Sequence, residues 1–114
     1  MASELYLGLM SGTSMDGLDA VLVDFTQSVP QLLRHHHTPI PTALAQRLHQ
    51  LCHTSPNELH LLAETDRLFA EFCADVVEQL LHQHNVAPAQ IAAIGSHGQT
   101  VRHCPTGQPA YTLQ

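Results

Sequence analysis

The chain of 114 residues contains no lysine and no tryptophan, and charged residues make up only 12% of it. All four of its fixed cations are arginines, and its formal net charge is -6. Nucleic-acid binding depends on many cationic contacts with phosphates, so this composition excludes a nucleic-acid partner. A P-loop needs a lysine at the β- and γ-phosphates, so a Walker-type nucleotide site is excluded as well.

Long apolar runs are also missing. No stretch approaches the roughly 20 apolar residues of a membrane helix, and the N-terminus lacks a basic region and a cleavage pattern. The three cysteines, Cys52, Cys73 and Cys104, lie far apart, which favours reduced thiols over disulfides. We therefore expect a cytoplasmic protein without a membrane partner. With 44% apolar residues, the chain can form the core of one small domain.

Apolar patterning predicts strands before Pro39 and helices after it. The first two strands are typical of an antiparallel hairpin, and the second is apolar on both faces, which predicts burial on both sides. The motif Ser55-Pro56-Asn57-Glu58 predicts a capping box, with Ser55 as the N-cap of the second helix. The strands are predicted at 5–10, 18–25, near 31–40, at 91–94 and in the last residues, and the helices near 42–53 and 56–84.

Two polar clusters with glycines follow predicted strands. The first, "GLMSGTSMDG" (residues 8–17), joins the strands of the hairpin, and the second lies within "IAAIGSHGQTV" (residues 91–101). Glycine lets backbone N–H groups approach a ligand, and hydroxyl groups add hydrogen bonds, so the first cluster is a candidate phosphate loop or an ordinary hairpin turn. Ligands in sheets flanked by helices bind beyond the carboxyl ends of strands, so the second cluster is a candidate wall of a site.

At these clusters the chain resembles a known family. The stretches "GLMSGTSMDGLDAVLVDF" and "IGSHGQTVRHCP" are similar to the two N-terminal signatures of the anhydro-N-acetylmuramic acid kinases. This family belongs to the superfamily of sugar kinases, heat-shock chaperones and actin. The resemblance covers essentially the whole chain. It implies an α/β fold of the ribonuclease H-like (actin-like ATPase) type, with an N-terminal β-hairpin, a mixed sheet and flanking helices.

The resemblance implies phosphorylation of 1,6-anhydro-N-acetylmuramic acid with ATP and Mg2+. Water opens the anhydro bridge at C1 while O6 takes the γ-phosphoryl group, which gives N-acetylmuramic acid 6-phosphate in peptidoglycan recycling. Asp16 or Asp19 is implied to organise Mg2+ through water. The residues implied at the ATP phosphates are Gly12, Thr13, Ser14, Met15, Asp16, Gly17, Leu18 and Asp19, and those implied to face the sugar or shape its site are Ser96, His97, Gly98, Gln99 and Thr100.

Family members are much longer than this chain. We therefore expect residues 1–114 to form the N-terminal part of the first domain of a two-domain sugar kinase, without the rest of that domain and the second domain. The family's general-base aspartate and its adenosine-binding motif have no counterpart here, so the chain by itself is expected to be inactive. The alternative is a non-catalytic small α/β binding or interaction domain. The expected partners are ATP and the anhydro sugar, and a homodimer stays open because exposed apolar surface drives association.

Histidines form two further candidate clusters. His35, His36 and His37 are consecutive, and their side chains do not easily converge on one ion, so we interpret them as a solvated strand edge. His49, Cys52 and His53 share one face of a predicted helix, but no second pair of ligands accompanies them at the spacing of a zinc finger. The sequence therefore favours no metal site at either cluster.

Overall fold

The structure is a computed structural model that describes residues 4–114. Runs rich in leucine and valine form the first two strands, and leucines at helical spacing form the two helices that follow. The elements are β1 (Leu5–Ser11), β2 (Gly17–Asp24), β3 (Gln31–Pro39), α1 (Thr42–Leu51), α2 (Glu58–Gln83), a short 3-10 helix (Pro88–Gln90), β4 (Ile91–Ser96), β5 (Arg102–Cys104) and β6 (Tyr111–Leu113).

Four strands form one mixed sheet in the order β3-β2-β1-β4. β1 pairs antiparallel with β2, β2 pairs antiparallel with β3, and β4 pairs parallel with β1. Parallel strands need a long connection. The connection from β1 to β4 contains β2, β3 and both α-helices. β5 and β6 form a separate two-stranded antiparallel sheet. The predicted α/β class, the mixed sheet, its hairpin and the third strand are confirmed.

One face of the sheet forms the main core. Leu18, Ala20 and Leu22 of β2 are buried against α2, where Leu80 is also completely buried. The prediction that both faces of β2 are buried is wrong. The opposite face carries Asp19, Val21 and Val23, which are only half-buried, because the apolar stripe of α2 packs on the Leu18 face. The strand therefore has one core face and one partly solvated face.

A second core lies under the turn between β1 and β2. Met15 of this turn packs with three leucines of α1, with Ile40 before α1 and with Val101 before β5. The cluster contains Met15, Ile40, Leu44, Leu48, Leu51 and Val101. Burial of these side chains holds the turn, the first helix and the segment after β4 together.

The predicted capping box is only half formed. α2 begins at Glu58 rather than Pro56, and Asn57 before it has a left-handed φ of 57°. The Ser55 N–H donates to Glu58 Oε2 at 3.2 Å, but the buried Ser55 Oγ has no hydrogen-bond partner among the described residues. The left-handed turn at Asn57 therefore replaces the predicted N-cap at Ser55.

Arg102 connects the two helices. Its guanidinium donates to the carbonyl oxygens of Leu51 at 3.0 Å and His53 at 2.7 Å, and to Glu58 Oε2 at 3.0 Å. The Arg102 hydrogen bond lowers the pKa of the Glu58 carboxyl group below its ordinary value. Within residues 4–114, neither helix is long and apolar enough to cross a membrane.

Candidate functional site

The β1–β2 turn, residues 12–16, is anchored by one apolar side chain. Met15 is 5% exposed, has a left-handed φ of 56°, and donates its N–H to the Gly12 carbonyl oxygen at 3.1 Å. Thr13, Ser14 and Asp16 are exposed on the same turn. The buried methionine therefore fixes the turn from below and leaves its hydroxyl and carboxylate groups accessible.

The accessible polar groups of the turn are close together. Ser14 Oγ donates to Asp16 Oδ1 at 2.9 Å, and the Asp16 carbonyl oxygen accepts the Ile40 N–H at 3.1 Å. The space beside the Gly12 Cα is open, since a Cβ placed there would have no atom of the described residues within 4 Å apart from its chain neighbours. The turn thus combines hydroxyl groups, one carboxylate and an unobstructed backbone.

Three of the residues predicted for the phosphate loop lie in β2 instead of the turn. Leu18 is 1% exposed and belongs to the main core. Asp19 lies on the opposite face, where its Oδ1 contacts His35 Nε2 at 2.9 Å and His37 Nδ1 at 3.0 Å. The His37 ring also covers Gly17, so a Cβ at this position would displace the ring from its contact with Asp19.

The contacts of Asp19 with the two histidines also change the pKa of its carboxyl group. Hydrogen bonds from the two imidazole rings lower the pKa of the Asp19 carboxyl group below its ordinary value of 3.8. β3, which carries these histidines, is an edge strand with mostly exposed side chains. His36 points to the other face and contacts His84 at 2.9 Å between their Nε2 atoms. The interpretation of residues 35–37 as a solvated strand edge is confirmed.

The 96–100 segment begins at the last residue of β4 and runs beside the end of β1. The His97 N–H donates to the Leu9 carbonyl oxygen at 3.0 Å, and Gly98 has a φ of 76°, which favours glycine. The side chains of Ser96 and His97 are exposed. Thr100 Oγ1 accepts a hydrogen bond from Gln114 Nε2 at 3.1 Å.

Gln99 joins this segment to the β1–β2 turn. It is 4% exposed, and its Oε1 accepts a hydrogen bond from Ser11 Oγ. Its Nε2 donates to the carbonyl oxygens of Gly12 at 3.2 Å and Thr100 at 3.1 Å. Because these bonds occupy both ends of the amide, Gln99 holds the two predicted clusters side by side.

A cavity of about 410 Å³ lies between the 96–100 segment and the helices. Its walls are mainly apolar, and its polar groups come from the 96–100 segment, from the first half of α2 and from Gln114. Burial raises the pKa of the Cys73 thiol in one wall. The lining residues are Leu9, Leu48, Leu51, Leu62, Thr65, Asp66, Phe69, Ala70, Cys73, Ser96, His97, Gly98, Gln99, Val101 and Gln114.

Sequence reasoning missed Asp66, which lines this cavity from α2. Asp66, Phe69 and Cys73 line the same cavity because their spacing places them on one face of the helix. That spacing is the sequence pattern from which Asp66 could have been found. For metals, no three histidine, cysteine, aspartate or glutamate side chains within residues 4–114 are grouped so as to hold an ion. Cys52 instead donates its thiol to the Leu48 carbonyl oxygen at 3.5 Å.

Comparisons with known proteins agree with the two signatures. A family model described as "Anhydro-N-acetylmuramic acid kinase" matches residues 4–114. A protein of that name from Shewanella denitrificans is 50% identical over 111 residues, which cover 97% of this chain and 30% of the relative. Relatives of the same name from Shewanella baltica and Nitrosospira multiformis are 48% and 45% identical over the whole chain. The chain spans about 30% of the length of these relatives.

Proposed function

The chain belongs to the anhydro-N-acetylmuramic acid kinase family, and we propose that the full-length protein phosphorylates 1,6-anhydro-N-acetylmuramic acid with ATP. The water oxygen bonds to C1 as the C1–O6 bond breaks, and O6 takes the γ-phosphoryl group as the bond to the β-phosphate oxygen breaks. The products are N-acetylmuramic acid 6-phosphate and ADP. The observation that carries this proposal is Gln99, which holds the two signature segments side by side.

The β1–β2 turn is proposed to bind the ATP phosphates. Phosphoryl transfer depends mainly on positioning and charge neutralisation, which backbone N–H groups and hydroxyl groups on a rigid turn can supply. Mg2+ prefers oxygen ligands and keeps several waters, so Asp16 with the adjacent Ser14 fits a water-mediated contact. Asp19 is the second candidate, but its carboxylate already contacts two imidazole rings. Mg2+ would neutralise phosphate charge there.

The 96–100 segment is proposed to form the sugar side of the site. Ser96 and His97 line the cavity with exposed polar side chains, while Gln99 and Thr100 set the backbone position. Hydroxyl, imidazole and amide groups at the end of an apolar cavity suit a neutral sugar ring. The β1–β2 turn is thus proposed to bind the phosphates of ATP, and the 96–100 segment is proposed to bind the sugar.

We infer the finer architecture from the family. The four-stranded mixed sheet with its N-terminal hairpin is proposed to be the start of a ribonuclease H-like first domain in a two-domain kinase. The general-base aspartate and the adenosine-binding residues are proposed to lie outside residues 1–114. Since the reaction consumes ATP, the proposed location is the cytoplasm.

The test uses the purified full-length protein with ATP, Mg2+ and the anhydro sugar in ¹⁸O-labelled water. We expect phosphate on O6 and the label at C1. Residues 1–114 alone form the second arm and are expected to give no turnover, because positioning between two domains supplies roughly 7–11 kcal/mol of such a barrier. Absence of sugar phosphate from the full-length protein, with intact sugar binding, would favour the non-catalytic alternative.

A further inference from the structure

The cavity beside the 96–100 segment contains polar groups that the fold uses and polar groups that it does not. Thr65 Oγ1 donates to the Leu61 carbonyl oxygen within the helix, and both ends of the Gln99 amide are occupied. Ser96, His97 and Asp66 line the cavity without any side-chain hydrogen bond to another of the described residues. These three side chains are therefore available to a ligand.

Asp66 differs from the neighbouring carboxylates of α2. Glu64 pairs with Arg47 at 2.7 Å, and Glu71 pairs with Arg67 at 3.0 Å. Within residues 4–114, the Asp66 carboxylate has no ion pair, and it is the one carboxylate that lines the cavity. A structural role through partner contacts is therefore excluded for Asp66 in the described part of the chain.

The charged groups that line the cavity determine which kind of ligand can bind there. Within residues 4–114 no arginine lines it, and the Asp66 carboxylate repels an anion, so the nucleotide phosphates do not fit there. A carboxylate only accepts hydrogen bonds, so its partner must be a donor. Leu62 and Phe69 offer an apolar wall to the carbon face of the same molecule.

We propose that Asp66 positions the amino sugar by accepting a hydrogen bond from a neutral donor, either a hydroxyl group or the acetamido N–H. This inference rests on the proposed function and adds a substrate-binding residue from α2 to the site. The lactyl carboxylate of the sugar then points away from α2, because two carboxylates in one cavity repel each other. Hydrogen bonds to a charged group are the stronger ones, so the contact contributes substantially to affinity.

The experiment measures sugar binding by calorimetry without ATP, and then kcat and KM, in the full-length protein and its variants. For Asp66→Ala we expect the Kd of 1,6-anhydro-N-acetylmuramic acid to rise about ten- to a hundred-fold. Asp66→Asn should raise it less, since an amide oxygen still accepts. KM should follow Kd, and the melting temperature should not change because Asp66 is exposed. Asp75→Asn is the matched control, since Asp75 is an exposed carboxylate of α2 outside the cavity.

The results separate the two proposals. Sugar phosphorylation by the unmodified protein, with unchanged Kd and KM in both Asp66 variants, would overturn the role of Asp66 and leave the proposed function standing. An equal loss of binding in Asp75→Asn would also overturn it, because the effect would then follow the helix charge. Failure of the unmodified protein to bind the sugar would overturn both proposals.

Discussion

The β1–β2 turn and the 96–100 segment lie side by side but are held by different forces. The turn is anchored by Met15, an apolar side chain in the second core, whereas the 96–100 segment is anchored by the buried amide of Gln99. Apolar packing has no preferred direction, but hydrogen bonds fix donor and acceptor positions. The methionine therefore holds the turn against the second core, and the glutamine sets the distance of the turn from the 96–100 segment.

Removing the apolar anchor should have the largest effect. Met15→Ala is expected to lower the free energy of unfolding by about 3 kcal/mol, because it leaves a cavity among the leucines of α1. Urea unfolding followed by circular dichroism measures this value. Met10→Ala is the matched control, since Met10 is 53% exposed and should cost little. Equal losses in both variants would show that the turn has no special anchor.

Removing a charge from the accessible side of the turn should affect turnover. Asp16→Asn in the full-length protein is expected to lower kcat about a hundred-fold, or about 2.7 kcal/mol, through loss of phosphate and metal organisation. The Kd of the sugar should not change. Asp24→Asn, a carboxylate at the far end of β2, is the control, and Asp19→Asn shows which carboxylate of the segment matters. Unchanged kcat in Asp16→Asn would contradict the assignment.

The turn was the more predictable of the two regions from the sequence. Glycines and hydroxyl residues between two apolar runs predict a hairpin turn, and the two apolar runs are themselves local patterns. The burial of Gln99 is not local, because its partners Ser11 and Gly12 lie 88 and 87 residues away in the chain. Polar residues in a polar cluster are normally solvated, so no sequence pattern marks this one as buried.

The errors at the ends of elements have the same origin. The motif at residues 55–58 predicts a helix start at Pro56, but the left-handed Asn57 moves the start to Glu58, whose carboxylate binds Arg102. Likewise, the apolar residues on both faces of β2 were consistent with burial on both sides. Only the packing of α2 determines which face becomes core. Propensity and pattern identify elements, and tertiary contacts fix their ends and faces.

Removing the polar anchor should have an intermediate effect. Gln99→Ala leaves the buried Ser11 hydroxyl group and the Gly12 carbonyl oxygen without this partner, so we expect a loss of about 2 kcal/mol of unfolding free energy. Gln79→Ala on the exposed side of α2 is the control. Adding Ser11→Ala to Gln99→Ala should recover part of the loss, because the orphaned hydroxyl group is then removed. A purely additive double variant would contradict the coupling.

The smallest expected effect is a difference between the two regions in how their stability depends on pH. Asp19, in β2 three residues after the turn, contacts His35 and His37, whereas the Gln99 amide does not titrate. The pKa of Asp19 is lowered on folding, so its contribution to stability is complete above its ordinary value of 3.8 and is lost as the pH falls through the lowered value. Asp19, His35 and His37 each have a half-exposed side chain, so their contacts contribute under about 1 kcal/mol to stability. The measurement is hydrogen exchange as the pH is lowered. We expect β2 and β3 around Asp19 to lose protection before the hydrogen bonds of Gln99. Asp19→Asn should abolish that difference. Simultaneous loss of protection in both regions of the unmodified chain would mean that Asp19 does not stabilise the pairing of β2 with β3 after the turn.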